Sequence, residues 1–408
     1  MKVKVFSVST EIVGPRTPRK KTVRARRVGD YPTVSAAHLD VAKKLSNPLL
    51  MGPPICDELI AFIQHLFTEE EASAVRRLSG FGGRTALAVA RAEHRPVNEV
   101  EPILQRIAFE KYAIASHGPA GHEKYQLTPV MPGIFEMVLF GVTPEKMTDW
   151  HRRFAQLFEA LYETGYSADY GEYPAPFVRF LPLDHIGRTH PMALPSDKLE
   201  VVLDRYKVFA VGQCQCRMTM NILGKGCGRP LGNCAVMGDW AKQSIERGVA
   251  RQVSKEEMLA IKMEAEKLGM VSWIMNVESS RGQVSCTCCG CCCHAMRQVN
   301  EFNVPSMAAP PHFLPRLDAN RCTHCGKCAR LCPMGALNVK LKEKTWEHRI
   351  ARCIGCGLCA AACDRLAAIS MEPVPNYRLP PKSWFALITR SIPNILRNSW
   401  HAWREHRP

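Results

Sequence analysis

The sequence predicts an α+β protein in several parts: a helical N-terminal region, a cysteine-rich α/β centre and a small C-terminal cysteine module. Three observations carry this. The 408 residues are enough for two or three domains with ordinary cores. Apolar residues recur at helical spacing through residues 54–165, then give way to short strand-like runs, VFAVG at 208–212 and MVSWIMNV at 270–277. Of the 19 cysteines, 14 fall within residues 286–363. Hydrophobic residues at 46% and charged residues at 23% exclude wholesale disorder.

The chain opens with MKVKVFSVSTEIVGPRTPRKK, which has no apolar core of the signal-peptide kind, so the thiols are expected to be reduced, cytoplasmic metal ligands and not disulfides. Residues 1–53 read as a basic N-terminal arm, because Arg16, Arg19, Lys20, Lys21, Arg24, Arg26 and Arg27 follow one another with no acid between them. The net charge of +16 suits an acidic partner, nucleic acid or an anionic membrane surface without choosing among them. The most apolar stretch, VMPGIFEMVLFGV at 130–142, is broken by Pro132, Gly133 and Glu136, so no spanning helix is expected.

Residues 54–130 form the first folded region. Helical spacing in DELIAFIQHLF is followed by Thr68 and Glu71, a capping box. A second helix is expected over 85–94, and a third from Pro96 that places Val100, Ile103, Leu104 and Ile107 on its core side. FGGRTA at 81–86 lacks the spacing of a nucleotide-binding loop and reads as a turn. Two short strands then flank the turn Gly118 to Gly121. Three helices and a hairpin in this order resemble a winged helix. In DNA-binding members the third helix enters the major groove, which here would present Asn98, Gln105 and Arg106, but Glu99, Glu101 and Glu110 share that helix and would repel phosphate. A protein-interaction module is the preferred reading. Residues 131–195 contribute an amphipathic helix at 144–165, with Met147, Trp150, Phe154, Leu157, Phe158 and Leu161 on one side. A proline-rich connector from Tyr170 to Pro195 follows, and a domain boundary is expected within it.

The cysteine chemistry is concentrated in two regions. In 313–373, CTHCGKCARLCP at 322–333 and CIGCGLCAAACD at 353–364 each place three cysteines three apart and a fourth four residues on. A tight loop can deliver three such thiolates to one cubane while the following helix carries the fourth to a neighbour. Two zinc sites are the competing reading, though zinc modules use pairs and not four-cysteine runs. The pattern resembles a bacterial-type two-cluster ferredoxin. That resemblance implies that Cys322, Cys325, Cys328 and Cys363 bind one [4Fe–4S] cluster, and that Cys353, Cys356, Cys359 and Cys332 bind the other. Pro333 keeps the family's proline after the fourth cysteine, whereas Asp364 replaces it in the second run, and that carboxylate is expected to lower the first cluster's potential.

In 196–312, Cys214 and Cys216 follow VFAVG, Cys227 and Cys234 lie in a glycine-rich loop, and CTCCGCCC supplies Cys286, Cys288, Cys289, Cys291, Cys292 and Cys293. No helix or strand can face all six of the latter one way. A subset of the ten is expected to hold at least one further [4Fe–4S] cluster; buried free thiols and a redox-active thiol pair are the alternatives. The ordered combination of CQCR, VSKEE, CTCCGCCC and the two ferredoxin runs, over residues 50–372, resembles a group of multi-cluster 4Fe–4S proteins of bacteria and archaea.

These readings lead to an electron-transfer protein that relays low-potential electrons between a donor and a reductase partner. An alternative is an oxidoreductase subunit with its own active centre at 214–293, served by Asp184, His185, Arg188 and His190; another is a redox-sensing DNA-binding regulator. The tail, 374–408, carries Trp384, Leu387, Ile388, Ile392, Ile395, Leu396, Trp400 and Trp403 at helical spacing, with arginines beside them and Pro393 within. Residues 383–404 are therefore expected to lie in an anionic membrane surface on its inner face, to dock on a membrane-bound redox partner, or to fold back on the protein's own core.

Overall fold

In the computed structural model of the protein, residues 12–13, 17–119, 121–304 and 307–408 are described. The chain divides into two units, one of Met1–Lys20 and Gly171–Asn394, the other of Lys21–Tyr170 and Ile395–Pro408. The division after Tyr170 falls at the start of the proline-rich stretch. The short strand β1 (Ile12–Val13) belongs to the first unit.

The second unit is mostly helical. Helix α1 (Ala36–Leu45) begins at Ser35, whose hydroxyl accepts the His38 amide, and buries Ala37, Val41, Ala42 and Leu45. It lies inside the stretch expected to be a basic arm, which corrects that boundary. The charge run at 16–27 drew attention from the apolar i, i+4 spacing just beyond it. Helix α2 (Asp57–Leu66) buries Leu59, Phe62, Ile63 and Leu66. The capping box is formed: Thr68 and Glu71 exchange hydrogen bonds of 3.2 and 2.9 Å at the start of α3 (Glu69–Val75).

Strand β2 (Arg84–Thr85), helix α4 (Ala86–Glu93), helix α5 (Val97–Phe109) and strands β3 (Ala115–His117) and β4 (Lys124–Gln126) follow, with the sheet ordered β2-β4-β3. The segment read as a turn thus supplies an edge strand, Arg84 pairing with Tyr125. Two residues are too few to show a strand periodicity in sequence. Val100, Ile103, Leu104 and Ile107 are buried. Helices α6 (Phe135–Phe140) and α7 (Asp149–Glu163) close the unit through aromatic contacts, Phe135 stacked on Phe158 at 3.7 Å and Phe62 tilted against Phe154 at 5.5 Å between ring centroids.

The first unit is built on a six-stranded antiparallel sheet of β5 (Val178–Phe180), β6 (Phe209–Gly212), β7 (Cys234–Gly238), β8 (Arg251–Val253), β9 (Val271–Met275) and β10 (Gly282–Cys288), in the order β5-β9-β10-β7-β6-β8. The proline-rich connector is therefore partly structural, supplying the edge strand β5 and helix α8 (Asp184–Thr189). The outer side of β5 carries an isolated bridge, Val178 to Ala308, and no named strand, so the prolines that flank it interrupt no ladder there. Helices α9 (Leu199–Leu203), α10 (Gln215–Ile222), α11 (Asp239–Glu246), α12 (Lys255–Lys267) and α13 (His294–Phe302) connect and flank the strands. Ser254 caps α12 as its sequence predicts, accepting the Glu257 amide at 3.1 Å.

The C-terminal cysteine module pairs β11 (Phe313–Leu317) with β14 (Ile369–Pro373), and β12 (Leu337–Lys340) with β13 (Thr345–His348) and β1. The short helices α14 (Lys327–Leu331) and α15 (Leu358–Ala361) sit inside the two cysteine runs. The chain ends in the 22-residue helix α16 (Trp384–Glu405), with Pro393 inside it.

Candidate metal centres

Each cysteine run of the module wraps a tight loop and then starts a helix. Gly326 and Gly357 stand at the starts of α14 and α15 with φ of +74° and +83°, a left-handed conformation that side chains resist. At Gly357 a Cβ would also meet the movable end of the Ile186 side chain, so the left-handed backbone is the ground on which glycine is needed. Cys322, Cys325, Cys328 and Cys363 line one cavity, together with Trp346 and Asp364. Cys332, Cys353, Cys356 and Cys359 line a second, together with Ile354 and Met371. The fourth cysteine of each run thus stands with the three of the other run.

Backbone amides point at the sulfurs. His324 donates to Cys322 Sγ at 3.3 Å, Ala336 to Cys332 Sγ at 3.2 Å and Gly355 to Cys353 Sγ at 3.5 Å. Burial pushes the Cys353 thiol up to about 12 and the Cys328 thiol up to about 11, so bare thiolates are disfavoured there and a bound cation has to stabilise them. Four sulfurs around each of two cavities, with donors aimed at them, fit the donor set that a [4Fe–4S] cluster takes.

The ten upstream cysteines separate into two groups. Strand β6 ends at Gly212, Cys214 stands at the N-cap of α10 and Cys216 in its first turn, so the Cys-x-Cys pair is gathered at a helix start and not split across a strand. Strand β7 brings in Cys234, which the sequence placed in a loop, and β10 brings Cys286 and Cys288. With Cys293 at the start of α13, these six form a row of contacting thiols: Cys214 to Cys216, Cys216 to Cys293, Cys293 to Cys288, Cys288 to Cys286, and Cys286 to Cys234 at 3.4 Å. The hydrogen bond from Cys216 draws the Cys214 thiol down to about 7 against its burial, with help from Arg217. The other four, Cys227, Cys289, Cys291 and Cys292, form a separate tetrad whose sulfurs all lie within 4.8 Å of one another.

Two buried cations underlie these thiols. Arg217 is 2% exposed and donates to the carbonyls of Pro230 at 2.8 Å and Thr287 at 2.9 Å, and to Asn233. Lys262 is 1% exposed and donates to the Ser285 carbonyl at 2.5 Å and to Thr287 Oγ1 at 2.8 Å. Burial pushes the Lys262 ammonium down to about 8, while Cys286, Cys234 and Cys288 oppose the fall. Cations this deep are tolerated beside concentrated negative charge, which thiolates supply. Sequence reasoning assigned neither a role, because Lys262 lies on α12, far along the chain from the cysteines it faces.

The other candidate groups have local partners. Asp184 pairs with Arg188 at 2.6 Å on α8, His190 Nε2 lies 3.1 Å from the Met371 carbonyl, and His185 is exposed. Cys56 stands apart in the helical unit as a buried thiol pushed up to about 12 by burial.

Residues 321–367 match the 4Fe-4S dicluster domain. Over 60 residues, 15% of this chain and 67% of the other protein, the sequence is 38% identical to the pyruvate synthase subunit PorD of Methanothermobacter marburgensis. No solved structure matches the chain.

Proposed function

Because the chain belongs to the 4Fe-4S dicluster proteins through residues 321–367, and so carries two [4Fe–4S] clusters there, we propose that it relays low-potential electrons between a redox donor and a reductase partner. The sharing of eight cysteines between two neighbouring cavities carries this reading. The clusters supply one-electron chemistry when bound; the chain holds them and sets their electrostatic surroundings. Cys322, Cys325, Cys328 and Cys363 hold one, and Cys332, Cys353, Cys356 and Cys359 the other.

A further [4Fe–4S] cluster belongs to the row of Cys214, Cys216, Cys234, Cys286, Cys288 and Cys293. Among the described residues, no three metal-ligating groups outside the tetrad converge within 4.8 Å. Since these sulfurs do not gather on one point, a single ion is not what they surround, and it is the non-adjacent members of the row that are spaced for the separate irons of a polynuclear cluster. Arg217 and Lys262 balance its charge. The relative's name, a subunit of pyruvate synthase, supports a place for this chain as the electron-transfer component of an oxidoreductase system.

A catalytic centre of its own at 214–293 has less support, since Asp184, Arg188 and His190 are engaged within the fold. For residues 54–130, the helix order and the β2-β4-β3 sheet support a winged-helix-like module. At the third helix Arg95 is held by Glu70 and Glu99, and Arg106 by Glu71, which weakens the attraction of that helix for phosphate and favours a protein partner over DNA.

Anaerobic purification with iron and acid-labile sulfide analysis, followed by EPR, tests the reading. About 12 iron atoms per chain in three cubanes, reducible by a low-potential donor, is the expected result. An iron content near eight removes the upstream cluster, and the absence of any signal reducible at low potential removes the relay.

A further inference from the structure

We infer that Cys227, Cys289, Cys291 and Cys292 form a mononuclear zinc site, distinct from the iron–sulfur clusters. The geometry of the sulfurs carries this. Cys227 and Cys289 lie 3.9 Å apart, Cys291 and Cys292 lie 3.7 Å apart, and all four sulfurs fall within 4.8 Å of one another. Zinc–sulfur bonds of about 2.3 Å at tetrahedral angles require sulfurs about 3.8 Å apart. Four thiolates on a cubane each bind a different corner iron, and so stand further apart than thiolates that share one ion. The eight cysteines of the C-terminal module show that wider arrangement, since no three of them converge within 4.8 Å as the tetrad's four do.

The surroundings fit a closed structural ion. Four thiolates complete zinc's tetrahedral shell and leave no position for a substrate. The same ligands bind zinc more tightly than ferrous iron, as the order of divalent affinities dictates. A tetrathiolate zinc carries two negative charges, and the Arg229 guanidinium, 3.7 Å from Cys291 Sγ, together with Arg217 beside Cys289, offsets them. Arg229 is itself fixed by its bond to the Leu268 carbonyl at 3.0 Å.

The tetrad is interleaved in sequence with the six-thiol row. Cys289, Cys291 and Cys292 form the turn between β10 and α13, and the residues on either side, Cys288 and Cys293, belong to the row. Cys227 comes from the loop after α10. Zinc at the tetrad pins that turn to the loop and fixes the directions from which Cys288 and Cys293 leave it. Its role is therefore to preorganise the neighbouring thiols, not to carry electrons.

The test uses the full chain purified anaerobically, with zinc, iron and sulfide measured on the wild type, Cys227→Ser and Cys291→Ser. One zinc per chain in the wild type is expected. Both variants should lose it, with the EPR signals of the 322–363 clusters unchanged and no loss of four sulfides. Zinc K-edge X-ray absorption of the wild type covers the case in which the variants do not fold. Four sulfurs at about 2.3 Å with no second metal nearby supports the site. A wild type without zinc, or variants that lose about four irons and four sulfides, overturns it.

Discussion

Cys332 and Cys363 each line the cavity built by the other's cysteine run, Cys332 with Cys353, Cys356 and Cys359, and Cys363 with Cys322, Cys325 and Cys328. A loop with thiols three residues apart surrounds one side of a cubane. The helix that follows then moves the chain away before its next cysteine is reached, so the fourth thiol serves the neighbour. Replacing Cys363 with Ala should abolish or distort the EPR signal of the cluster held by Cys322, Cys325 and Cys328 while its neighbour remains assembled. Loss of the 353–359 cluster instead would reverse the assignment.

Asp364 is exposed beside the first cavity, directly after Cys363, whereas Pro333 holds the corresponding place after Cys332 in the other run. Its charge opposes the arrival of an electron. At about 10 Å and an effective dielectric near 20, two unit charges interact by about 1.7 kcal/mol, and solvent screening at an exposed carboxylate reduces this. Asp364→Asn should raise the first cluster's potential by a few tens of millivolts and leave the second almost unmoved. Redox titration followed by EPR separates the two.

Glu266 accepts the Asp184 amide at 3.0 Å, and burial pushes its carboxyl up to about 7. The folded protein therefore holds this proton more tightly than the unfolded chain does. The stability that follows is fully present below about pH 4.5 and is lost as pH rises through 7, where the charge must be buried. Glu266→Gln keeps an acceptor without the charge. It should stabilise the protein by about 1–3 kcal/mol above pH 7 and by little below pH 4.5. Anaerobic thermal unfolding followed by circular dichroism from pH 4.5 to 8.5 reads the difference. Equal effects at both ends would remove this account.

Helix α16 turns Phe385, Ile388, Ile392, Leu396, Trp400 and Trp403 outward, while Leu387, Ser391, Asn398 and Ala402 are buried. Of the expected stripe, Leu387 is thus covered and Trp384 and Ile395 are half-buried, while the remaining apolar residues face outward. Arg404 and Arg407 lie over Trp400 and Trp403 at 4.8 and 3.6 Å, which places cations beside the stripe. No helix among the described residues is long and apolar enough to cross a membrane. The stripe suits a helix lying in an anionic lipid surface. Leu396→Glu combined with Trp400→Glu should reduce sedimentation with anionic phospholipid vesicles about tenfold without altering cluster content. Wild-type protein that fails to sediment with such vesicles would rule out the anchoring role.

Local rules made much of this protein legible in its sequence. The eight cysteines of 322–363, their glycines, the caps at Thr68 and Ser254, and the buried positions of α5 follow from spacing, since loops, caps and helix faces are set by residues close in the chain. The C-terminal stripe is legible for the same reason, though not which of its faces would be covered. Tertiary structure alone decided how the ten upstream cysteines divide. Cys227 is far in sequence from Cys289, and Cys288 and Cys289 are adjacent yet belong to different groups, because the end of β10 and the turn that follows send successive side chains in different directions. The same holds for Lys262 and Arg217. The pairing of β10 with β7 and β9 and the placing of α12 bring their charges beneath the thiols, and long-range pairing of that kind leaves no periodic trace in sequence.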